Sequence, residues 1–502
     1  MAYEPTQPPM THHYDINSRP TTGQHADIES SCDDVEKTAA TRSHHDKEIY
    51  EDGTDGLVST SCKYTGAQTP ADGGGTVIER VLSRVVSQKT IVDPGPPPDG
   101  GLRAWLVVLG AHLIVMNTWG VIVSFGIFQT YYTASLGKSR FVISWIGSLQ
   151  IFLLFFIGTF AGRAADAGYT RILMVLGLVL QMIAIFTASV STQYWQIFLS
   201  QGICFGLGNG CLFCPTVTTV STYFSSHRVL AIGIAACGTA TGGLIFPGIA
   251  RAMLPEHGMA WTLRTMGFVQ FVSLIFAFCL VKPRIPPRRS GQIIEWAAFK
   301  ELEYTYYAVG NFFCFLGLYF AFYYLSSFSR SNITPPLSYE SSLDLLMVMN
   351  GVGILGRIIP NYTTESVGLL NLYIPFAFIS GLLMVLWMAV STTTSLYVWS
   401  IFYGIFAAGV QSLFPAGLST LTTDLSKQGT RIGMTFTIVS FAVLAGPPIE
   451  GLLIQAMDGK YHGAQAFAGG CTIIGSMFVL AARTVKAKKL RQPGQSIWKM
   501  KV

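Results

Sequence analysis

From residue 104 onward the chain is a series of apolar runs, each about as long as a bilayer core is thick, and this pattern leaves few folds open. Twelve runs can be read: Ala104–Tyr132, Val142–Gly162, Ile172–Val190, Trp195–Thr222, Val229–Met253, Ala260–Val281, Tyr304–Phe328, Leu343–Thr363, Leu369–Val390, Leu396–Thr422, Ile432–Gln455 and Ala464–Ala482. About 20 apolar residues in a helix cross a bilayer, and a helix satisfies its own backbone groups where no water can. The expected fold class is therefore an all-α membrane protein with twelve transmembrane helices. The count is open by one at Gly446-Pro447-Pro448, where two prolines interrupt the eleventh run.

Charge divides the chain into unlike regions. Met1 to Arg103 carries 25 charged residues, and Ala104 to Ala482 carries 28 over a far longer stretch. Arg483 to Val502 holds seven basic residues and no acidic one. The organisation expected from this is a disordered cytosolic tail over 1–103, too poor in large aliphatics to offset its ordering entropy. A six-helix bundle over 104–281, a cytosolic linker over 282–303, a second six-helix bundle over 304–482 and a basic cytosolic tail over 483–502 follow. The net charge of +6 averages these regions and gives no argument for a nucleic-acid partner. The expected partners are the lipid bilayer and a small-molecule solute. The first residues lack the apolar core of a signal peptide, so the first helix would act as its own insertion signal.

Lys and Arg set the orientation. With both termini in the cytosol, 21 of them flank the cytosolic ends of the runs and 6 flank the outer ends. Asn332-Ile-Thr334 is then an outward-facing sequon, with Asn332 a candidate for glycosylation. The plasma membrane is the expected location, with the vacuole or another internal membrane as alternative. Cys211 and Cys214 form a C-x-x-C, but inside an apolar run with no second ligand pair, so they read as small apolar fillers. No metal and no cofactor are expected.

The two halves are related. Gly162-Arg-Ala-Ala-Asp166-Ala-Gly168 follows the second run, and Asn361-Tyr-Thr-Thr-Glu365-Ser-Val-Gly368 follows the eighth, at an offset of 199 residues. Leu212-Phe-Cys-Pro215 in the fourth run echoes Leu413-Phe-Pro415 in the tenth, at an offset of 200. Repeated halves packed about a central path are a common transporter design.

Gly162-x-x-x-Asp166, with Arg163, Gly168 and Arg171 around it, resembles the loop signature of the major facilitator superfamily. That resemblance implies that the loop carboxylate faces the N-terminal end of a neighbouring helix and helps hold one state of an alternating-access cycle, with Glu365 its counterpart in the second half. A narrower likeness lies in Asp99-Gly-Gly-Leu-Arg-Ala-Trp105, Ser144-Trp-Ile-Gly-Ser-Leu-Gln150, Ser221-Thr-Tyr-Phe224, Gly242-Gly-Leu-Ile-Phe-Pro247 and Gly356-Arg357-Ile-Ile-Pro360. These are similar to the monocarboxylate porter family in its fungal branch. Animal members of that family move short carboxylates with a proton, using a Lys in the first helix and an Asp-x-x-x-Arg pair in the eighth. Matched by motif, Arg357 falls on that Arg, Gly353 on the Asp, and Val123 near the Lys, so one of three charged groups is kept.

The chemistry-bearing residues follow from burial cost. A charge inside a span is expensive and is usually functional. Arg357 lies in the eighth run with Asn350 two turns earlier on the same face, and the two are candidates to bind a carboxylate or enolate. Glu450, just after Pro447-Pro448, is a candidate to exchange a proton. Asn117, Asn311, Tyr319 and Gln411 are polar groups in apolar runs that must bond a neighbouring helix or face a water-filled path. No phosphate-cradling Gly-x-x-x-x-Gly-Lys loop occurs and no nucleophile or metalloprotease motif, so the chain does not read as an enzyme. The expectation is a secondary active transporter of a small organic solute, monocarboxylate-like or weakly acidic, with protons as one candidate driving ion. An efflux pump for a secondary metabolite or drug-like compound is one alternative, and a transporter-like nutrient sensor another.

Overall fold

The structure is a computed structural model that describes residues 95–284, 294–421, 428–492, 496–497 and 500–502. The tail expected over 1–103 lies outside the described residues up to 94, as does the middle of the linker. Fifteen α-helices carry the described chain: α1 Gly101–Val123, α2 Gly126–Leu136, α3 Arg140–Ala164, α4 Thr170–Val190, α5 Tyr194–Ile197, α6 Phe205–Ser221, α7 Arg228–Ala236, α8 Gly238–Leu280, α9 Leu302–Leu318, α10 Phe320–Ser331, α11 Tyr339–Val367, α12 Leu369–Leu386, α13 Thr393–Leu421, α14 Gln428–Ala456 and α15 His462–Leu490. Short π-helical turns span Ala165–Tyr169 and Phe198–Cys204, and short 3₁₀ turns span Trp296–Lys300 and Trp387–Ala389.

Ten helical segments among the described residues are long and apolar enough to cross a membrane. Two of them, Arg140–Val190 and Arg228–Leu280, are 51 and 53 residues long, roughly twice what a bilayer requires. Each contains one break at a glycine of positive φ. Gly168 sits at φ 95° and Gly258 at φ 71°, ψ 177°. The second half repeats both breaks as separations between helices: Gly368 at φ 96° divides α11 from α12, and Gly459 at φ 86° divides α14 from α15. The prolines at 447 and 448 do not interrupt α14.

Val229–Met253 is divided at Cys237 into α7 and the start of α8, and two further runs read as continuous are divided at matching places. Ala104–Tyr132 becomes α1 and α2, broken at Ser124 (φ −93°, ψ 4°), and Tyr304–Phe328 becomes α9 and α10, broken at Tyr319 (φ −85°, ψ −4°). The two breaks have nearly the same backbone geometry at matching places in the repeat. Ser124 Oγ donates to the Gly120 carbonyl at 2.7 Å, the back-bonding that loosens a helical turn.

Helix packing follows the repeat as well. α1 lies along α8, α3 and α4 pack on α6, and α4 on α8; α9 lies along α15, α11 and α12 pack on α13, and α12 on α15. Between these groups the main contacts are α3 with α14 and α8 with α11. A shift of about 200 residues turns α3 into α11 and the start of α8 into α14, so each cross-pair maps onto the other. Close crossing depends on small residues: a Cβ at Gly120 of α1 would stand 2.6 Å from Gly242 Cα of α8. On α4, Ile172, Val175, Leu176, Val179 and Ile183 stand exposed at helical spacing, as a lipid-facing stripe requires.

Candidate functional site

A cavity lies between the two groups of helices. It holds about 680 Å³ of atom-free space, its open mouth included. Trp119 and Tyr319, whose rings stack at 6.2 Å and 18°, stand at its deep end, beside the α9–α10 break. Phe155, Phe213, Phe315 and Phe414 form its walls, and it runs past Ala111 toward Val220 and Ile232, at the end of the bundle where α1 begins (the near end). At the opposite, far end, the two groups are stitched together. Thr130 Oγ1 donates to Ser326 Oγ at 3.3 Å, Arg140 Nε to Ser327 Oγ at 3.1 Å, and Tyr339 Oη to the Ile127 carbonyl at 3.3 Å. Arg251 and Asp344 pair at 2.8 Å.

Among the described residues one cation faces the cavity. Arg357 is 2% exposed, and its guanidinium makes two contacts to uncharged acceptors: Nη1 to the Gly353 carbonyl at 3.2 Å and Nη2 to Gln411 Oε1 at 3.2 Å. Asn361 Nδ2 bonds the Arg357 carbonyl at 2.6 Å and Ser412 Oγ at 2.5 Å, tying α11 to α13 beneath the guanidinium. Gln411 Nε2 and Tyr319 Oη are buried and have no hydrogen-bond partner among the described residues. A guanidinium, an amide N–H and a phenol O–H on one cavity wall form a donor set suited to a carboxylate or enolate. The aromatic walls add a surface for a ring.

The structure thus brings together three of the residues expected to bind cargo, Arg357, Gln411 and Tyr319, and places the other four elsewhere. Asn350 shares the Arg357 face of α11, but two turns along the axis that face meets α8: a Cβ at Gly243 would stand 2.6 Å from Asn350 Cβ, and Asn350 Nδ2 bonds the Leu346 carbonyl at 3.0 Å. Asn117 turns away from the cavity, bonding Leu113 O at 2.7 Å and Ser273 Oγ of α8 at 2.8 Å. Asn311 is spent inside its own group of helices, donating to Tyr307 O and accepting from Tyr373 Oη. Glu450 is fully buried on α14, outside the cavity lining, and neither carboxyl oxygen has a hydrogen-bond partner among the described residues. A polar residue in an apolar run has to bond something, and spacing alone does not say whether that is a neighbouring helix or the path. The aromatic walls were legible in part: Phe315 and Tyr319 belong to the Tyr- and Phe-rich stretch Tyr304–Tyr324, a composition that suits a ring-containing cargo as well as packing, whereas Trp119, Phe155, Phe213 and Phe414 lie outside it. For Phe213 and Phe414 a signal was present in the repeated Leu-Phe motifs, since both, and Pro415 beside the latter, line the cavity.

The loop residues cluster at the near end. Arg163 Nη1 donates to Thr430 Oγ1 on α14 at 3.0 Å, and the Asp166 carboxylate lies 3.8 Å from where a Cβ on Gly429 would stand, beside the first turn of α14. Gly162, in the last turn of α3, faces Cys214, and Gly168 supplies the positive φ of the turn. Arg171 donates to the Phe278 carbonyl and lies over that ring at 4.6 Å. Glu365 is exposed on the last turn of α11 with no hydrogen bond among the described residues, so the two loops are not equivalent in this conformation. Asp99, just before α1, accepts from the backbone N–H and hydroxyl of both Ser225 and Ser226 at the α6–α7 connection. Those hydrogen bonds, the Ser225 hydroxyl first, hold its carboxyl down at about 2. At the far end, Asn332 is exposed after α10, and Ser331 Oγ donates to its side-chain oxygen at 2.7 Å.

Comparison with known proteins gives a consistent picture. The family model of the Major Facilitator Superfamily matches residues 108–385. An MFS-type transporter of Gibberella zeae is 52% identical over 391 residues, 78% of this chain and 89% of that one. The aspyridones efflux protein of Emericella nidulans is 31% identical, covering 78% of this chain and 80% of its own length. The agnestins efflux protein of Paecilomyces divaricatus is 33% identical, covering 80% and 92%.

Proposed function

The chain belongs to the major facilitator superfamily and is an integral, multi-pass membrane transporter of a small-molecule solute, and from that premise we propose that it exports a weakly acidic, ring-bearing organic metabolite. The observation that carries this reading is a buried guanidinium, Arg357, on the wall of an aromatic cavity between the two groups of helices. Dividing each of the two overlong segments at its positive-φ glycine turns ten spans into twelve, arranged as halves over 104–281 and 304–482 joined by a linker over 282–303. The shared motifs and the Gly356-Arg357 match support a reading of the chain as a fungal relative of the monocarboxylate porters. Charge bias puts the near end in the cytosol, so the cavity faces the cytosol and the far end is the closed outer gate, at the plasma membrane.

In this reading the cargo enters from the cytosol. Its acid group is held by Arg357 with Gln411 Nε2 and Tyr319 Oη, and its ring lies among Trp119, Phe155 and Phe213. Closure of the near end alternates with parting of the far-end contacts, with Arg163 and Asp166 already beside the start of α14 in this conformation. Relatives named as efflux proteins for aspyridones and agnestins favour export over uptake. Asn350, Asn117 and Asn311 then serve helix packing, and Glu450 is the residue to examine for proton coupling.

The test uses hippurate, a ring-bearing carboxylate, and the purified full-length protein. Arg357→Ala removes charge-assisted hydrogen bonds worth about 1.5–3 kcal/mol, so hippurate affinity should fall about 10- to 100-fold while the protein remains folded and monodisperse. Unchanged affinity in that variant overturns the anion site.

A further inference from the structure

We propose that this transporter is an obligate anion exchanger: the loaded carrier changes state readily, the empty carrier does not, and each anion exported is replaced by one taken up. The proposal rests on the reading of Arg357 as the cargo's anion site. Its basis is the electrostatic setting of that guanidinium. Its hydrogen-bond partners are the uncharged Gly353 carbonyl and Gln411 Oε1, and among the described residues no carboxylate pairs with it. Ion pairs among the described residues lie elsewhere: Arg251 with Asp344, Arg431 with Glu295 and Glu301, and Lys489 with Glu303. The buried carboxyl of Glu450 has other neighbours, Tyr323, Tyr324, Tyr403 and Cys471.

Gly353 contributes to the arrangement by its lack of a side chain. It lies one turn before Arg357, where a side chain would be placed to pair with the guanidinium. Instead the guanidinium folds back over it, bonding its carbonyl, and a Cβ at Gly353 would stand 2.7 Å from Nη1. The counter-charge therefore has to come from the cargo. Closing both gates around an unpaired cation is costly in a water-poor interior, whereas closing them around a guanidinium–carboxylate pair encloses no net charge. The return leg then requires a second anion, a small organic carboxylate, and the exchange of one monovalent anion for another moves no net charge.

The experiment uses the full-length protein in liposomes loaded with radiolabelled hippurate, at pH 8, with potassium and valinomycin to clamp the potential and protein-free liposomes subtracted. Efflux should be at least about tenfold faster into external hippurate than into carboxylate-free buffer. Gly353→Asp installs the missing counter-charge; hippurate binding should weaken about tenfold or more, and the residual flux should no longer depend on external hippurate. Equal efflux of the wild type into both solutions overturns exchange and leaves the anion site standing. Failure of the wild type to bind hippurate at all overturns the anion site, and exchange with it.

Discussion

At the scale of single residues, the same physical rule gave opposite outcomes at different positions. Burial makes a polar group in a span costly unless it finds a partner. Asn117 and Asn311 find it in a neighbouring helix, whereas Gln411 Nε2 and Tyr319 Oη do not, and these two stand at the cavity. The sequence shows the obligation but not which partner meets it. Asp99 illustrates a contact with a definite pH signature. Its carboxyl is held at about 2, below its ordinary value of 3.8, by hydrogen bonds from Ser225 and Ser226. A depressed value means that the ionised contact is fully present above the ordinary value and is lost only as pH falls through about 2. Hydrogen exchange at the Ser225 and Ser226 amides, corrected for intrinsic rates, should therefore show the same protection from pH 8 to pH 5, and Asp99→Ala should remove it throughout. Protection that decays between pH 7 and pH 5 would contradict this account.

At the scale of elements, the turns between helices carry the repeat more faithfully than the helices do. Gly168 and Gly368 share a φ near 95°, and Gly258 and Gly459 both sit at positive φ, 201 residues apart. Gly258, at ψ 177°, occupies a region open in practice to glycine alone. Gly258→Ala should cost about 1–3 kcal/mol and lower the thermal unfolding midpoint in detergent. Gly470 in α15 has helical backbone and open space around its Cα, so Gly470→Ala should produce no such loss. An unchanged midpoint for Gly258→Ala would mean that the break between the two parts of α8 is made otherwise. The helix breaks at Ser124 and Tyr319 were not legible, because each run stays apolar through the break and hydropathy does not register a local change of ψ.

At the scale of the whole molecule, the two groups of helices meet through α3 with α14 and α8 with α11, and the cavity lies between them. The far-end contacts that close it include the Thr130–Ser326 pair, 3.3 Å apart. A double variant, Thr130→Cys with Ser326→Cys, should form a disulfide that holds this conformation. Transport should stop on oxidation and return on reduction, while hippurate binding from the near end persists. Continued transport by the fully cross-linked protein would show that the far end does not need to open.

The sequence by itself determined the membrane setting, the helical class and the repeat of about 200 residues. Each of these depends on a property that accumulates along the chain: run length against bilayer thickness, charge density, and recurrence of motifs. It also singled out Arg357, because a lone cation in an apolar run stands out against that background. Only the tertiary structure decided what Arg357 faces. Its guanidinium, Gln411 and Tyr319 come from two helices and the α9–α10 break, up to 92 positions apart in the chain, and Trp119, Phe155 and Phe213 come from the other half. Whether such residues converge depends on helix rotation and crossing, which are set by close packing of small residues at contacts such as Gly120 with Gly242 and have no one-dimensional signature.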